Sequence, residues 1–70
     1  MNKQILKQFG KRVREEREKQ DISQERLGQL AGVHRTYVGM IERAEKNITL
    51  TNMEKFAKAL RKKVSDLIDF

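Results

Sequence analysis

Seventy residues suffice for one domain with a small apolar core, near the lower size limit for folding without staples. The absence of Cys excludes disulfides and thiolate metal sites, and no apolar run approaches the roughly 20 residues of a membrane span. Sixteen Lys and Arg against ten Asp and Glu leave a formal charge of +6, a balance that favours polyanionic partners. No signal-peptide pattern opens the chain, so a cytoplasmic protein is the default expectation.

Every periodic segment reads as helix, and no stretch alternates with a two-residue period. No repeat, low-complexity tract or Ser/Gly-rich linker marks an internal boundary, so residues 1–70 are expected to form a single domain. The first helix is predicted from near Lys3 to Lys19, with Leu6, Phe9, Val13 and then Arg17 along one face. Asp21 and Ile22 begin a connection, and Ser23 is a good N-cap for a second helix over Gln24 to Ala31. Glu25 in its first turn suits the helix dipole, and Gly32 stands where a left-handed residue commonly ends a helix. The third helix starts at His34 or Arg35 and ends near Arg43 or Ala44.

A loop from Glu45 to Leu50 is expected next. Thr51-Asn52-Met53-Glu54 has the spacing of a capping box, which would open the fourth helix with Met53, Phe56, Ala57 and Leu60 as its apolar stripe. The basic run Arg61-Lys62-Lys63 leads to a last short helix from about Ser65, carrying Leu67 and Ile68. Five helices with short connections make an all-α architecture.

The stretch Gln24 to Arg43, QERLGQLAGVHRTYVGMIER, is the most informative. Two short amphipathic helices meet there at a Gly-centred turn. Leu27, Gly28, Ala31, Val33, Val38 and Ile41 fall where two crossed helices would touch. Gly28 has no side chain to keep a neighbour away. This is the spacing of a helix-turn-helix, which presents its second helix to the major groove of DNA.

The motif resembles that of the Cro/cI-type phage repressors, and the resemblance extends over about residues 5 to 68. The string RTYVGMIERAEKNITL, Arg35 to Leu50, looks most like the controller proteins of restriction–modification systems. The resemblance implies a compact five-helix, lambda-repressor-like DNA-binding domain whose helices two and three form the motif. It also implies a sequence-specific regulator, activator or repressor, of a double-stranded operator.

Carried over position by position, the family pattern makes His34, Arg35, Thr36 and Met40 base readers. Arg35 has a planar fork that can donate twice to guanine O6 and N7, or else grip a phosphate. Thr36 can donate to a base or phosphate, and Met40 can meet only a methyl or packed sugar. His34 departs from the small polar helix starter usual at its position; capping, phosphate contact and simple exposure all stay open. Gln24 matches a phosphate-contacting position at a helix N-terminus. Arg43, Lys46, Asn47 and Thr49 fall where relatives clamp the DNA backbone, and Tyr37 has a hydroxyl that can reach a phosphate. Arg17 and Glu42 match a family pair that ties the recognition helix to the scaffold.

A homodimer on a two-fold operator is expected, because one recognition helix reads only a few base pairs. Leu50, Asn52, Ile68 and Phe70 are the interface candidates. An exposed acid, Glu25 or Glu45, is a candidate contact for RNA polymerase. Ala44 and Arg61 stand where the family often has Gly, which leaves room for different loop paths. One His, no Cys and no Gly-rich phosphate loop argue against an enzyme, a metal site or a cofactor, and no small-molecule ligand is implied. The competing readings are an antitoxin-type protein-interaction module and a phage-type repressor of unrelated genes.

Overall fold

A computed structural model describes residues 4–70, so the expected start of the first helix at Lys3 lies outside the described residues. Its elements in order are α1 (Gln4–Lys19), α2 (Gln24–Ala31), α3 (Arg35–Glu42), α4 (Leu50–Ala59) and α5 (Val64–Leu67). All five anticipated helices form, and no strand occurs among the described residues.

Apolar spacing explains how they assemble. Phe9 and Val13 of α1, Leu27 and Ala31 of α2, and Val38 and Ile41 of α3 are buried together. Phe56, Ala57 and Leu60 close this core from α4, and Leu67 closes it from α5. A buried Phe, Leu or Val contributes about 1.5–3 kcal/mol relative to an exposed one. Two glycines set the closest approaches. A Cβ on Gly28 would lie 2.6 Å from the Val33 carbonyl oxygen, and one on Gly10 would collide with the backbone carbonyl of Ile41. Thus α1 rests directly on the end of α3, and α2 rests directly on the turn that launches it.

The short connections share one device. In each of the first four helices, the chain reverses through a left-handed residue: Asp21, Gly32, Ala44 and Arg61, with φ of 55°, 73°, 59° and 58°. The next amide then reaches back to a carbonyl in the last turn, Ile22 to Arg17, Val33 to Gly28, Glu45 to Met40 and Lys62 to Ala57. This is the Schellman arrangement, which satisfies carbonyls that a helix end leaves open. Ala44 and Arg61 therefore adopt the conformation that Gly favours.

Two boundaries differ from expectation. Thr49, not Thr51, caps α4: its Oγ1 accepts from the Asn52 amide at 3.1 Å, so the helix begins at Leu50. Thr51 lies inside the first turn, and the capping box fails because a better-placed hydroxyl precedes it by two residues. The last helix begins at Val64 rather than Ser65, with Asp66 Oδ2 accepting from the Lys63 amide at 2.9 Å. It ends at Leu67, which leaves Ile68 outside and exposed.

A left-handed non-glycine residue is strained by steric contact between Cβ and the carbonyl oxygen. Ala44→Gly is expected to stabilise the protein by about 0.5–1 kcal/mol, the strain relieved less the added entropy of the unfolded chain. Denaturant melting at constant m-value measures it; an unchanged or lower midpoint would contradict the strain.

Candidate nucleic-acid interface

The exposed start of α3 is built from three supports. His34 is its N-cap, and the ring Nδ1 accepts from the Thr36 amide at 3.0 Å. Of the roles open to His34, capping is therefore the one its free-state geometry fills. Ser23 caps α2 in the same way, its hydroxyl accepting from the Arg26 amide at 3.0 Å. Below, Val38 and Ile41 are buried, so the underside of α3 is fixed while Arg35 and Thr36 point to solvent.

The third support is electrostatic. Arg17 of α1 donates Nε to Glu42 Oε2 at 2.7 Å and Nη2 to Glu42 Oε1 at 3.1 Å. Gln24 of α2 donates Nε2 to Glu42 Oε1 at 3.1 Å, and Arg17 Nη1 donates to the Ile22 carbonyl at 3.0 Å. One carboxylate at the end of α3 thus joins three helices. The pair is well shielded, with the Arg17 side chain 13% and the Glu42 side chain 3% exposed. The hydrogen bond to Glu42 holds the Arg17 guanidinium above its usual range against the opposing effect of burial. No buried side-chain polar atom lacks a partner among the described residues.

The expected contact residues divide into groups. Arg35 and Thr36 are exposed on the first turn of α3, and Met40 is half-buried one turn on. Arg35 donates Nη1 to Glu25 Oε2 at 2.9 Å. Lys46, Asn47 and Thr49 lie exposed on the segment between α3 and α4, with Thr49 already engaged as a cap. Arg43 is exposed but spans Glu45, donating Nε and Nη2 at 3.0 and 3.1 Å. That contact holds the Glu45 carboxyl below its usual range, so the pair's contribution is present at neutral pH and lost as pH falls through the lowered value.

Two residues expected at the DNA backbone are committed inward. Gln24 is half-buried and its amide serves Glu42. Tyr37 is half-buried, its ring tilted against Phe56 at a centroid distance of 6.0 Å. Its hydroxyl accepts from Asn52 Nδ2 at 3.0 Å, so Asn52, expected at an interface, acts inside the protomer. The acids offered as polymerase contacts, Glu25 and Glu45, are exposed and each accepts from an arginine, Arg35 and Arg43 respectively. Leu50, Ile68 and Phe70 are exposed by 71%, 42% and 49%.

Sequence reading missed two features. Neither the dipole nor the polymerase role expected of Glu25 includes its pairing with Arg35, although opposite charges at the first turns of two crossed helices signal an ion pair. Gly39 was passed over: a Cβ there would lie 2.9 Å from Arg43 Nη1 and 3.5 Å from Gln24 Oε1. Its spacing of four from Arg43 was the available clue.

A capped, exposed helix start on a rigid two-helix support, bearing a cation and a hydroxyl, is the geometry of a DNA reader. The chain belongs to the helix-turn-helix family of DNA-binding transcription regulators, whose model matches residues 13–67. Within it, the chain is similar to Control protein C.BamHI of Bacillus amyloliquefaciens, with 44% identity over 71 residues covering the whole chain and 88% of that relative. Control protein C.SmaI of Serratia marcescens is 45% identical over 56 residues, 80% of this chain and 67% of the relative. Among solved structures, the restriction–modification controller protein C.AhdI from Aeromonas hydrophila superposes with a TM-score of 0.87 at 44% identity, covering 89% of this chain and 94% of that one. The P22 c2 repressor in complex with a synthetic operator gives 0.80 at 32% identity, covering 86% and 91%. The expected repressor-like fold and family are both confirmed. Among the described residues, no helix is long and apolar enough to cross a membrane.

Glu42→Ala would strand a shielded Arg17 guanidinium and release Gln24, an expected loss of about 3–5 kcal/mol. Thermal melting tests this; a transition within a degree or two of the parent would reduce the pair to an incidental contact.

Proposed function

We propose that the protein is a cytoplasmic homodimer that binds a two-fold operator and controls restriction–modification genes. The observation that carries the reading is the projection of Arg35 and Thr36 from a buttressed α3. Arg35 reads a base, and Arg43, Lys46 and Asn47, on the segment that follows α3, grip phosphates and supply affinity without sequence information. The half-buried positions of Tyr37 and Gln24 favour a supporting role beneath this face. The higher identity to C.AhdI than to the P22 repressor, 44% against 32%, favours restriction–modification control over a phage-type repressor of unrelated genes.

Dimerisation is supported by exposed apolar side chains outside the DNA face. Leu50 is the most exposed of them, and it lines a shallow depression with Thr51, Glu54 and Val64. Ile68 follows α5 closely, so α4 and α5 together offer an apolar surface to a second copy. Coupling dimerisation to operator occupancy makes the response to the protein's own concentration steep.

Selection of duplexes from a random pool, followed by binding at several salt concentrations, tests the reading. The expected consensus is two-fold symmetric, with half-site centres about one helical turn apart. Arg35→Ala should cost about 1–3 kcal/mol at one base position in each half-site. Arg43→Ala should weaken all duplexes alike and lower the salt slope by about one. An asymmetric consensus would refute the dimer, and identical behaviour of the two variants would refute the division between reader and clamp. Absence of any duplex preference, with capture of a protein partner, would favour the antitoxin-type module.

A further inference from the structure

Arg35 and Arg43 both meet carboxylates, but through different edges of the guanidinium. Arg43 spends Nε and Nη2 on Glu45, the same edge that Arg17 gives to Glu42. Arg35 spends only Nη1 on Glu25, and its guanidinium has no other hydrogen-bond partner among the described residues. Its Nε–Nη2 edge is therefore open. Two parallel N–H groups on one edge are what a guanine O6/N7 pair accepts.

Both ends of the Arg35–Glu25 contact are mounted on the rigid part of the motif. Glu25 lies in the first turn of α2, directly after the Ser23 cap and beside Gln24, which is tied to Glu42. The Arg35 backbone nitrogen is 3.2 Å from the position a Gly28 Cβ would take, so the start of α3 sits close over α2. An arginine held before binding loses less side-chain freedom when it meets its base.

We propose that Glu25 is a positioning residue for base readout, holding Arg35 by Nη1 so that its Nε–Nη2 edge faces guanine, whereas Glu45 competes with phosphate for Arg43. The proposal rests on the reading of α3 given above. A carboxylate near the DNA repels phosphates, so Glu25 lowers affinity for every sequence while sharpening the choice among them. Glu45 occupies the edge that Arg43 needs and must be displaced before the clamp forms. Its loss strengthens binding to all duplexes without improving the choice.

The test compares three duplexes: the selected one, one altered at the Arg35-dependent base pair, and a scrambled one. Glu25 and Glu45 are both largely exposed, so their replacement leaves the core intact. Glu25→Ala is expected to lower discrimination between the first two duplexes about five-fold or more, while binding the scrambled duplex more tightly. Glu25→Gln keeps an acceptor for Nη1 and should restore part of the discrimination, a recovery that loss of charge alone would not give. Glu45→Ala should tighten all three by a similar factor. Unchanged discrimination in Glu25→Ala would overturn the proposal, as would altered discrimination in Glu45→Ala. Arg35→Ala, measured in parallel, separates the causes: if it relaxes one position and Glu25→Ala relaxes none, only the role of Glu25 fails. If Arg35→Ala relaxes none either, base readout by α3 fails and the proposal falls with it.

Discussion

The Glu42 carboxylate, shared by Arg17 and Gln24, ties the end of α3 to both α1 and α2. It lies at the last residue of α3, whereas Arg35 and Thr36, the proposed reading residues, lie at the first turn. An eight-residue helix is too short to hold its own direction by propensity, so its orientation must come from tertiary contacts. The arginine fork fixes the far end in two directions at once, and the buried Val38 and Ile41 fix the underside. Desolvating two charges is costly, and the cost is tolerated here because no buried side-chain polar atom among the described residues is left without a partner.

The same economy governs the backbone. Gly10 and Gly28 bring α1 and α2 into direct contact with α3 and its leading turn, which small side chains alone would not permit. Four left-handed residues then follow the ends of four helices by one or two positions, and three of the four connections are only three or four residues long. In a 70-residue protein without disulfides, this leaves most apolar side chains available to one core. The exposed large apolar side chains among the described residues are Ile5, Leu30, Leu50, Ile68 and Phe70.

Much of this was legible in the sequence because the helical periodicity and the turn chemistry agree. The stripe of Phe9, Val13 and Arg17, the Ser23 cap, Gly32 and the small residue at Gly28 each point to the same local structure. The start of α4 was not legible, because Thr49 and Thr51 are both competent caps and only the structure shows that the Thr49 hydroxyl takes the Asn52 amide. The left-handed turns at Ala44 and Arg61 were hidden too, since neither residue type prefers that conformation. At the site, spacing placed Arg35 and Thr36 on the outside but could not show which polar side chains spend their hydrogen bonds internally. Gln24, Tyr37 and Asn52 look like surface donors in one dimension, yet each is engaged across the motif by a partner 15 or 18 residues away. The pairing of Arg35 with Glu25 across the turn was likewise a fact of three dimensions.

In the proposed complex α3 meets DNA with its first turn while its buried side stays fixed. Backbone amide shifts of the labelled protein, followed as a selected duplex is added, test it most directly. Large changes are expected at Arg35 and Thr36, with Val38, Ile41 and the Arg17 side-chain Nε–H signal keeping their free-state environment. Unmoved signals at Arg35 and Thr36, or collapse of the Arg17 signal on binding, would contradict it.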